Sequence, residues 1–180
     1  MRQFFASVLE VIEVALIAIG AVFLIRNFLV QPFLVSGSSM TPNFYDGDYL
    51  LIDELTYRFR NPERGEVSVF RYPNDETTYF IKRIIGLPGE RLAVAGGTVT
   101  IYNQEHPDGF DPYQTLGLPE RFAAGQLTTV VPESHIFVIG DNRQAGGSLD
   151  SRNELGPVPS ERIIGKLALR VWPPSQPRHR

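Results

Sequence analysis

The feature that most constrains this chain is an apolar run near its N-terminus, followed by a long region with a different pattern. Residues 14–25 are uninterrupted apolar, and between Phe4 and Val30 the only interruptions are Ser7, Glu10, Glu13, Arg26 and Asn27. A membrane-spanning helix needs about 20 mostly apolar residues, and long charged side chains near its ends reach the interface. We therefore predict one transmembrane helix over residues 5–27, within a membrane anchor of residues 1–30.

Two other interpretations of this segment stay open. A cleaved signal peptide has a short apolar core of this kind, although an acidic stretch before that core is atypical. A helix lying in the membrane interface is also compatible, because Glu10 and Glu13 share one helix face. The basic residues orient the segment only weakly, since Arg2 favours a cytoplasmic N-terminus and Arg26 opposes it.

The region after the anchor has the pattern of a β-rich domain, which we place at residues 31–180. Segments rich in Val, Ile, Phe and Tyr, bounded by Gly, Pro and Asn, predict strands over residues 48–53, 66–70, 78–86, 135–141 and 162–173. Residues 91–102 predict a hairpin with Gly96 and Gly97 in its turn. Proline-rich residues 103–132 predict an irregular excursion with a short helix near 118–124.

Composition excludes several kinds of chemistry. The chain has no cysteine, which excludes thiol catalysis, disulfides and cysteine-based zinc sites. Its three histidines lie far apart in the sequence and form no short-spaced ligand motif, so we expect no metal site. The net charge of −3 is too small to indicate a nucleic-acid partner, and we expect none.

A serine-rich turn and two lysines supply candidates for nucleophilic catalysis. Ser39 belongs to a Ser-Gly-Ser-Ser segment that follows an apolar stretch, and a serine hydroxyl needs a base to become a nucleophile. A lysine can be that base when apolar surroundings lower its pKa. Lys82 shares one strand face with Phe80 and Ile84, and Lys166 also has apolar neighbours. These patterns alone do not separate the two lysines.

Two further interpretations of polar residues stay open. A Ser-His-Asp triad of Ser39, His135 and Asp141 is available, because triads are recognised by geometry and not by spacing. The loop at 140–158 is either a surface loop with internal ion pairs or a buried polar network that positions catalytic groups. Its polar residues include Asp141, Arg143, Ser148, Asp150, Ser151 and Arg152.

Four stretches together carry a resemblance to a known family. They are SGSSMTPNF (36–44), DGDYLLIDEL (46–55), YFIKRIIGLPGE (79–90) and IGDNRQAGGSLDSRNELGPV (139–158). In this order, behind an apolar anchor, they resemble the bacterial type I signal peptidases, which are membrane-bound serine proteases that remove signal peptides from exported proteins. The resemblance covers about residues 14–170 and implies a mainly β catalytic domain of antiparallel sheets.

The resemblance also implies roles for individual residues. Ser39 would be the nucleophile, Lys82 and not Lys166 the general base, and Ser148 would hydrogen-bond the Lys82 amine and orient it. The Ser39 backbone N–H would form part of the oxyanion hole. Structural ion pairs would join the remaining support residues, Asp141 with Arg83 and Asp150 with Arg152.

This chain departs from the family pattern at three places. Gly37 stands where many members carry a serine that completes the oxyanion hole, so Gly37 is the expected counterpart in the support set. Asn43 stands where threonine is usual. The segment between Arg143 and Ser148 is two residues longer than usual.

The resemblance finally implies a substrate groove, partners and a location. Phe33, Val35, Phe80 and Ile81 would line shallow apolar pockets that favour small side chains such as alanine, and an extended substrate would pair with strand edges. The expected partners are exported preproteins, the lipid bilayer and the secretion translocon, and no cofactor is expected. The protein would sit in the cell membrane by a single pass, with its catalytic domain on the extracytoplasmic side.

Two alternatives to this function stay open. One is a self-cleaving repressor with the same Ser-Lys chemistry, which would need a DNA-binding helix-turn-helix where this chain has its apolar run. The other is a membrane-tethered β-domain that binds exported chains without cleaving them. A covalent acyl adduct on Ser39 would distinguish an enzyme from such a binding module.

Overall fold

A computed structural model describes residues 2–28, 30–119 and 123–173. Its elements, in chain order, are helix α1 (Arg2–Phe28), strands β1 (Val30–Leu34), β2 (Tyr49–Asp53), β3 (Val67–Tyr72), β4 (Asp75–Gly86), β5 (Arg91–Ala95) and β6 (Thr98–Tyr102), helix α2 (Pro112–Thr115), and strands β7 (Leu127–Val130), β8 (His135–Ile139), β9 (Val158–Pro159) and β10 (Ile163–Trp172). Single 3-10 turns lie at Thr56–Arg58 and Ser160–Arg162.

Within these described residues, the strands form two antiparallel sheets. One sheet has seven strands in the order β1-β2-β10-β3-β4-β8-β9, and the other has three in the order β6-β5-β7. The strand pairs of both sheets run antiparallel. The prediction of a mainly β fold built from antiparallel sheets is therefore confirmed.

Alternating burial along the strands explains how the two sheets pack. In β2, Leu50 and Ile52 are buried and Tyr49 is exposed, as expected when one face of the strand covers the core. The three-stranded sheet packs its buried face against β4 and β8 of the larger sheet. The core cluster between them contains Ile85, Leu92, Val94, Val99, Ile101, Tyr113, Ala123, Val131, Phe137 and Ile139. Strand β4 is thus fixed by neighbours in its own sheet and by a second layer.

The excursion at 103–132 is more ordered than predicted. It contains strand β7, and its short helix is Pro112–Thr115 and not a helix near 118–124. Helix α2 begins there because the Asp111 carboxylate accepts a hydrogen bond from the Tyr113 N–H at 2.7 Å and Pro112 occupies the first turn. Ala123 instead bridges to Gly97, and residues 120–122 of the predicted helix lie outside the described residues.

Helix α1 covers the segment predicted to span a membrane. The side chains of residues 7–22 are all exposed, and Ser7, Glu10 and Glu13 interrupt their apolar sequence. Within the described part of the chain, no helix is both long enough and apolar enough to cross a membrane. The predicted helix is therefore present, but its prediction as a transmembrane span over residues 5–27 is not confirmed.

The close approach of β10 to β2 yields a stability prediction. Gly165 of β10 is buried, and a Cβ added there would overlap the backbone carbonyl oxygen of Asp53 in β2. Because backbone cannot give way as a flexible side chain can, we expect Gly165→Ala to lower the free energy of unfolding by about 1–3 kcal/mol. Thermal unfolding monitored by circular dichroism measures this loss. Leu169→Ala, at an exposed position of the same strand, is the control and should leave the midpoint nearly unchanged.

Candidate active site

The serine-rich segment forms a tight turn directly after β1. The Phe44 N–H donates to the Met40 carbonyl oxygen at 3.0 Å, and the buried Met40 side chain fixes the turn to the core. Gly37 has a φ of +92°, a conformation that favours glycine. The Gly37 N–H donates to the Asp46 carboxylate at 2.7 Å. The turn therefore presents Ser39 next to the buried Met40 side chain. Hydrogen bonds at Gly37 and Phe44 fix the backbone before and after it.

Ser39 and Lys82 come together although they lie far apart in the sequence. Lys82 projects from β4, and its Nζ lies 2.8 Å from Ser39 Oγ and 2.9 Å from the Ile81 carbonyl oxygen. The ring of Phe80, two residues before Lys82 and on the same strand face, has its centroid 5.0 Å from Nζ. This geometry allows proton transfer between the serine hydroxyl and the lysine amine.

Burial changes the acid–base properties of Lys82. Only 3% of this residue is exposed, and desolvation lowers the pKa of its amine to about 8, against the opposing influence of the Asp150 and Asp141 carboxylates. A substantial fraction of the amine is therefore neutral near pH 8. Because only the neutral amine has a lone pair to accept a proton, this side chain suits a general base.

The two alternative bases, Lys166 and His135, make their contacts elsewhere and not with Ser39. Lys166 forms an ion pair with Glu66 at 3.3 Å, on a partly exposed part of β10. His135 begins β8, with its Nδ1 2.9 Å from the Glu133 carbonyl oxygen, and Asp141 is engaged by other groups. The structure thus brings Ser39 to Lys82 and to neither alternative base. Among the described residues, no group of three histidine, aspartate or glutamate side chains is arranged to hold a metal ion.

The predicted hydrogen bond between Ser148 and the Lys82 amine is absent. Ser148 Oγ is buried and has no hydrogen-bond partner among the described residues, while Lys82 Nζ is engaged by Ser39 and Ile81. Ser148 nevertheless lies beside the nucleophile's backbone. A Cβ added to Gly140 would overlap both Ser148 Oγ and the Ser39 carbonyl oxygen. The segment before Ser148 is also two residues longer than in the family pattern. The Ser148 hydroxyl lies near the Ser39 carbonyl oxygen and makes no hydrogen bond to the Lys82 amine.

The predicted ion pair between Asp141 and Arg83 is present and buried. Arg83 Nε and Nη2 donate to the two carboxylate oxygens of Asp141 at 2.8 and 2.6 Å. Asn43 Nδ2 donates to the same carboxylate at 2.6 Å. Asn43, which replaces the usual threonine, therefore ties the serine turn to the ion pair beside Lys82. A two-point pair of this kind fixes orientation as well as neutralising charge.

A second predicted ion pair holds the loop after β8. Arg152 Nε and Nη2 donate to the fully buried Asp150 carboxylate at 2.9 and 2.8 Å, and the Gly140 N–H donates to it at 2.9 Å. The Asn142 N–H donates to the Ser39 carbonyl oxygen at 3.0 Å. The buried residues of this loop thus form a polar network that is hydrogen-bonded directly to the nucleophile, while Gln144–Gly146, Asn153 and Glu154 are exposed.

An apolar cleft of about 360 Å³ opens beside the Ser39–Lys82 pair. All four residues predicted for the substrate groove line it, namely Phe33, Val35, Phe80 and Ile81. Leu34, Tyr79 and Leu149 also line it, although the sequence patterns did not single them out. Strand alternation could not have found Leu34 and Tyr79, because it places them on the opposite face from Phe33 and Phe80, and Leu149 lies in a loop without periodicity.

Comparisons with known proteins place the chain in a family. Residues 8–172 match the model of the family described as signal peptidase, peptidase S26. The chain is 34% identical over 168 residues to a probable signal peptidase I-2 of Synechocystis sp., covering 90% of this chain and 70% of that protein. It is 32% identical over 173 residues to a signal peptidase I of Bacillus licheniformis, covering 93% and 90% of the two chains.

A solved structure is also similar to part of the chain. The crystal structure of a signal peptidase I from Enterococcus faecalis aligns with a TM-score of 0.46 and 26% identity, covering 61% of this chain and 98% of that one. The assignment rests on the family model and the sequence relatives, because they extend over nearly the whole chain. The chain belongs to the signal peptidase family, peptidase S26, a family of serine endopeptidases.

Proposed function

We propose that this protein is a type I signal peptidase, an endopeptidase that removes signal peptides from exported preproteins. The observation that carries the proposal is the 2.8 Å approach of Ser39 Oγ to the buried amine of Lys82, at the side of an apolar cleft. The names of the relatives, each a signal peptidase I, support the substrate class. The alternative of a non-cleaving binding module does not account for a buried lysine directed at a serine hydroxyl.

In the proposed mechanism, neutral Lys82 accepts the proton of the Ser39 hydroxyl while Oγ attacks the scissile carbonyl carbon. The resulting tetrahedral intermediate collapses as its C–N bond breaks, and the lysine ammonium returns the proton to the leaving amine of the mature protein. The remaining acyl-enzyme is an ester on Ser39. Lys82 then takes a proton from water while the water oxygen attacks the ester carbonyl carbon. As the bond from that carbon to Ser39 Oγ breaks, the lysine ammonium returns the proton to Oγ, and the signal peptide leaves with a new C-terminal carboxyl group.

We assign the Ser39 backbone N–H as a donor to the developing oxyanion. Gly37 does not offer a comparable donor, because its own N–H donates to Asp46. Ser148, whose buried hydroxyl lies near the Ser39 backbone, is assigned a supporting role through polarity at the site and not through a bond to Lys82. The two ion pairs hold the loop and strand that carry these groups.

The cleft suits an extended peptide with small side chains. Strand β1 is an edge of the larger sheet, and among the described strands residues Thr78–Lys82 of β4 pair with β3 alone. Both edges offer backbone hydrogen-bonding groups to an added strand. The apolar walls at Phe33, Val35 and Ile81 leave shallow space, which favours alanine-type residues one and three positions before the scissile bond.

We propose further that residues 1–30 anchor the enzyme to the cell membrane, with residues 31–180 as the catalytic domain on the extracytoplasmic side. The support is the exposure of apolar side chains along α1, since a helix that is apolar and unpacked over several turns is stabilised by lipid. Residence of enzyme and substrate at one bilayer face would raise their effective concentration. The secretion translocon would be a neighbour there.

Substitution of the paired residues tests the mechanism. We expect Ser39→Ala and Lys82→Ala to lower kcat/KM for a preprotein with an Ala-x-Ala site by at least about 1,000-fold, because each removes a reacting group. Lys166→Ala is the matched lysine control and should retain the wild-type rate. Cleavage of the detergent-solubilised preprotein, followed by gel electrophoresis, measures these rates. Full activity of Lys82→Ala, or no cleavage by the wild type, would contradict the proposal.

The depressed pKa of Lys82 predicts the pH dependence. Because the neutral amine is the active form, kcat/KM should rise about tenfold per pH unit below pH 8 and level off above the Lys82 pKa of about 8. Initial rates with a fluorogenic peptide from pH 5 to 10 measure the profile, with Lys166→Arg as a control that should keep it. A profile flat from pH 6 to 9 is incompatible with Lys82 as the base.

Membrane attachment is tested by fractionation of cells that express the full chain. We expect the enzyme in the membrane pellet after alkaline carbonate washing, because that wash removes proteins that merely lie on the surface. Proteolysis of intact spheroplasts should degrade the catalytic domain. Release by carbonate would favour the interfacial helix, and protection from protease would refute the extracytoplasmic placement.

A further inference from the structure

One residue of the cleft beside Ser39 comes from the loop after β8. The lining residues of the cleft come from strands β1 to β4 and the serine turn, with the exception of Leu149. Leu149 belongs to the polar loop after β8 and is 38% exposed, although Ser148 and Asp150 on either side of it are buried. A large apolar side chain between two buried polar residues is thus presented to the cleft.

The backbone on both sides of Leu149 is fixed. Asn153 Nδ2 donates to the Ser148 carbonyl oxygen at 3.0 Å, and the Asp150 N–H donates to Asn153 Oδ1 at 2.9 Å. One amide side chain therefore clamps the residues before and after Leu149. The Asp150 carboxylate is further held by Arg152 and by the Gly140 N–H. With its main chain held in this way, Leu149 has little freedom to withdraw from the cleft.

The position of Leu149 relates it to the scissile bond. Its neighbour Ser148 lies beside the Ser39 carbonyl oxygen, and Leu149 lines the same cleft as Ser39 and Lys82. Ser39 attacks the carbonyl carbon of the substrate residue immediately before the scissile bond. That residue must therefore place its side chain within a few ångströms of Ser39. Because the backbone of Leu149 is fixed, its side chain limits the size of the substrate side chain that fits at this point. Close-packed apolar walls accommodate extra methylene groups only at an energetic cost.

We propose that Leu149 is a specificity-determining residue, and that its side chain sets the upper size limit at the substrate position immediately before the scissile bond. The proposal rests on the proposed peptidase function. Shortening Leu149 should admit larger side chains at that position and so raise kcat/KM for substrates with a large residue there relative to substrates with alanine. An added or missing methylene in an apolar pocket changes discrimination by about 10- to 200-fold.

The test compares two peptides that differ only at this position, one with alanine and one with leucine. We expect Leu149→Ala to raise the ratio of kcat/KM for the leucine peptide to kcat/KM for the alanine peptide at least about tenfold above the wild-type ratio. Leu149→Val should give an intermediate ratio. Leu169→Ala, which shortens an exposed leucine that does not line the cleft, should leave both values unchanged. Thermal unfolding of each variant establishes that it is folded.

The outcomes separate this proposal from the function on which it depends. If the wild type cleaves the alanine peptide but Leu149→Ala leaves the ratio of the two kcat/KM values unchanged, the specificity role is wrong. An equal loss on both peptides would also overturn it, because the residue would then only support the loop. Failure of the wild type to cleave either peptide or a preprotein would instead refute the peptidase function.

Discussion

The site depends on the burial of one amine. An isolated ammonium is costly to remove from water, whereas a neutral amine costs far less, so burial of Lys82 shifts its protonation equilibrium toward the base. Two carboxylates nearby, Asp141 and Asp150, act in the opposite direction. Each is paired with an arginine, Arg83 or Arg152, and this pairing allows desolvation to outweigh them. By limiting the influence of these carboxylates, the ion pairs help to keep the Lys82 amine neutral, the form that can accept a proton.

The fold supplies that burial by layering. Strand β4 lies inside the larger sheet and carries Lys82, while the three-stranded sheet packs on the adjoining part of β4 and β8. The loop after β8 then closes over the serine turn, with Asn142 bonded to the Ser39 backbone and Asn43 bonded to Asp141. Nucleophile and base therefore come from different elements whose separation is set by the sheet and by two hydrogen bonds, one from the Asn142 backbone N–H and one from the Asn43 side-chain amide.

Much of this arrangement was predictable, and the exceptions have physical causes. Alternating apolar residues locate the main strands, and the four motif stretches identify Ser39 and Lys82, which apolar context alone did not separate from Lys166. The contacts of Ser148 were not predictable, because a two-residue lengthening changes loop geometry without a periodic signal. Helix α2 was misplaced because it is a single turn of four residues, too short to show a helical apolar period, and its local signal was the Asp111 cap followed by Pro112. Leu149 was missed because no periodic pattern shows which way a loop side chain faces, and here hydrogen bonds of Asn153 to the residues on either side fix the backbone.

The measurement that tests the account most directly is a titration of the Lys82 amine itself. The chain has two lysines, so selective 13C labelling of lysine side chains gives two Cε signals, and Lys166→Arg leaves only that of Lys82. The account predicts a titration midpoint near pH 8, the pKa that burial gives this amine. A midpoint at the ordinary value for lysine, about 10.4, would contradict the claim that this buried amine is the general base.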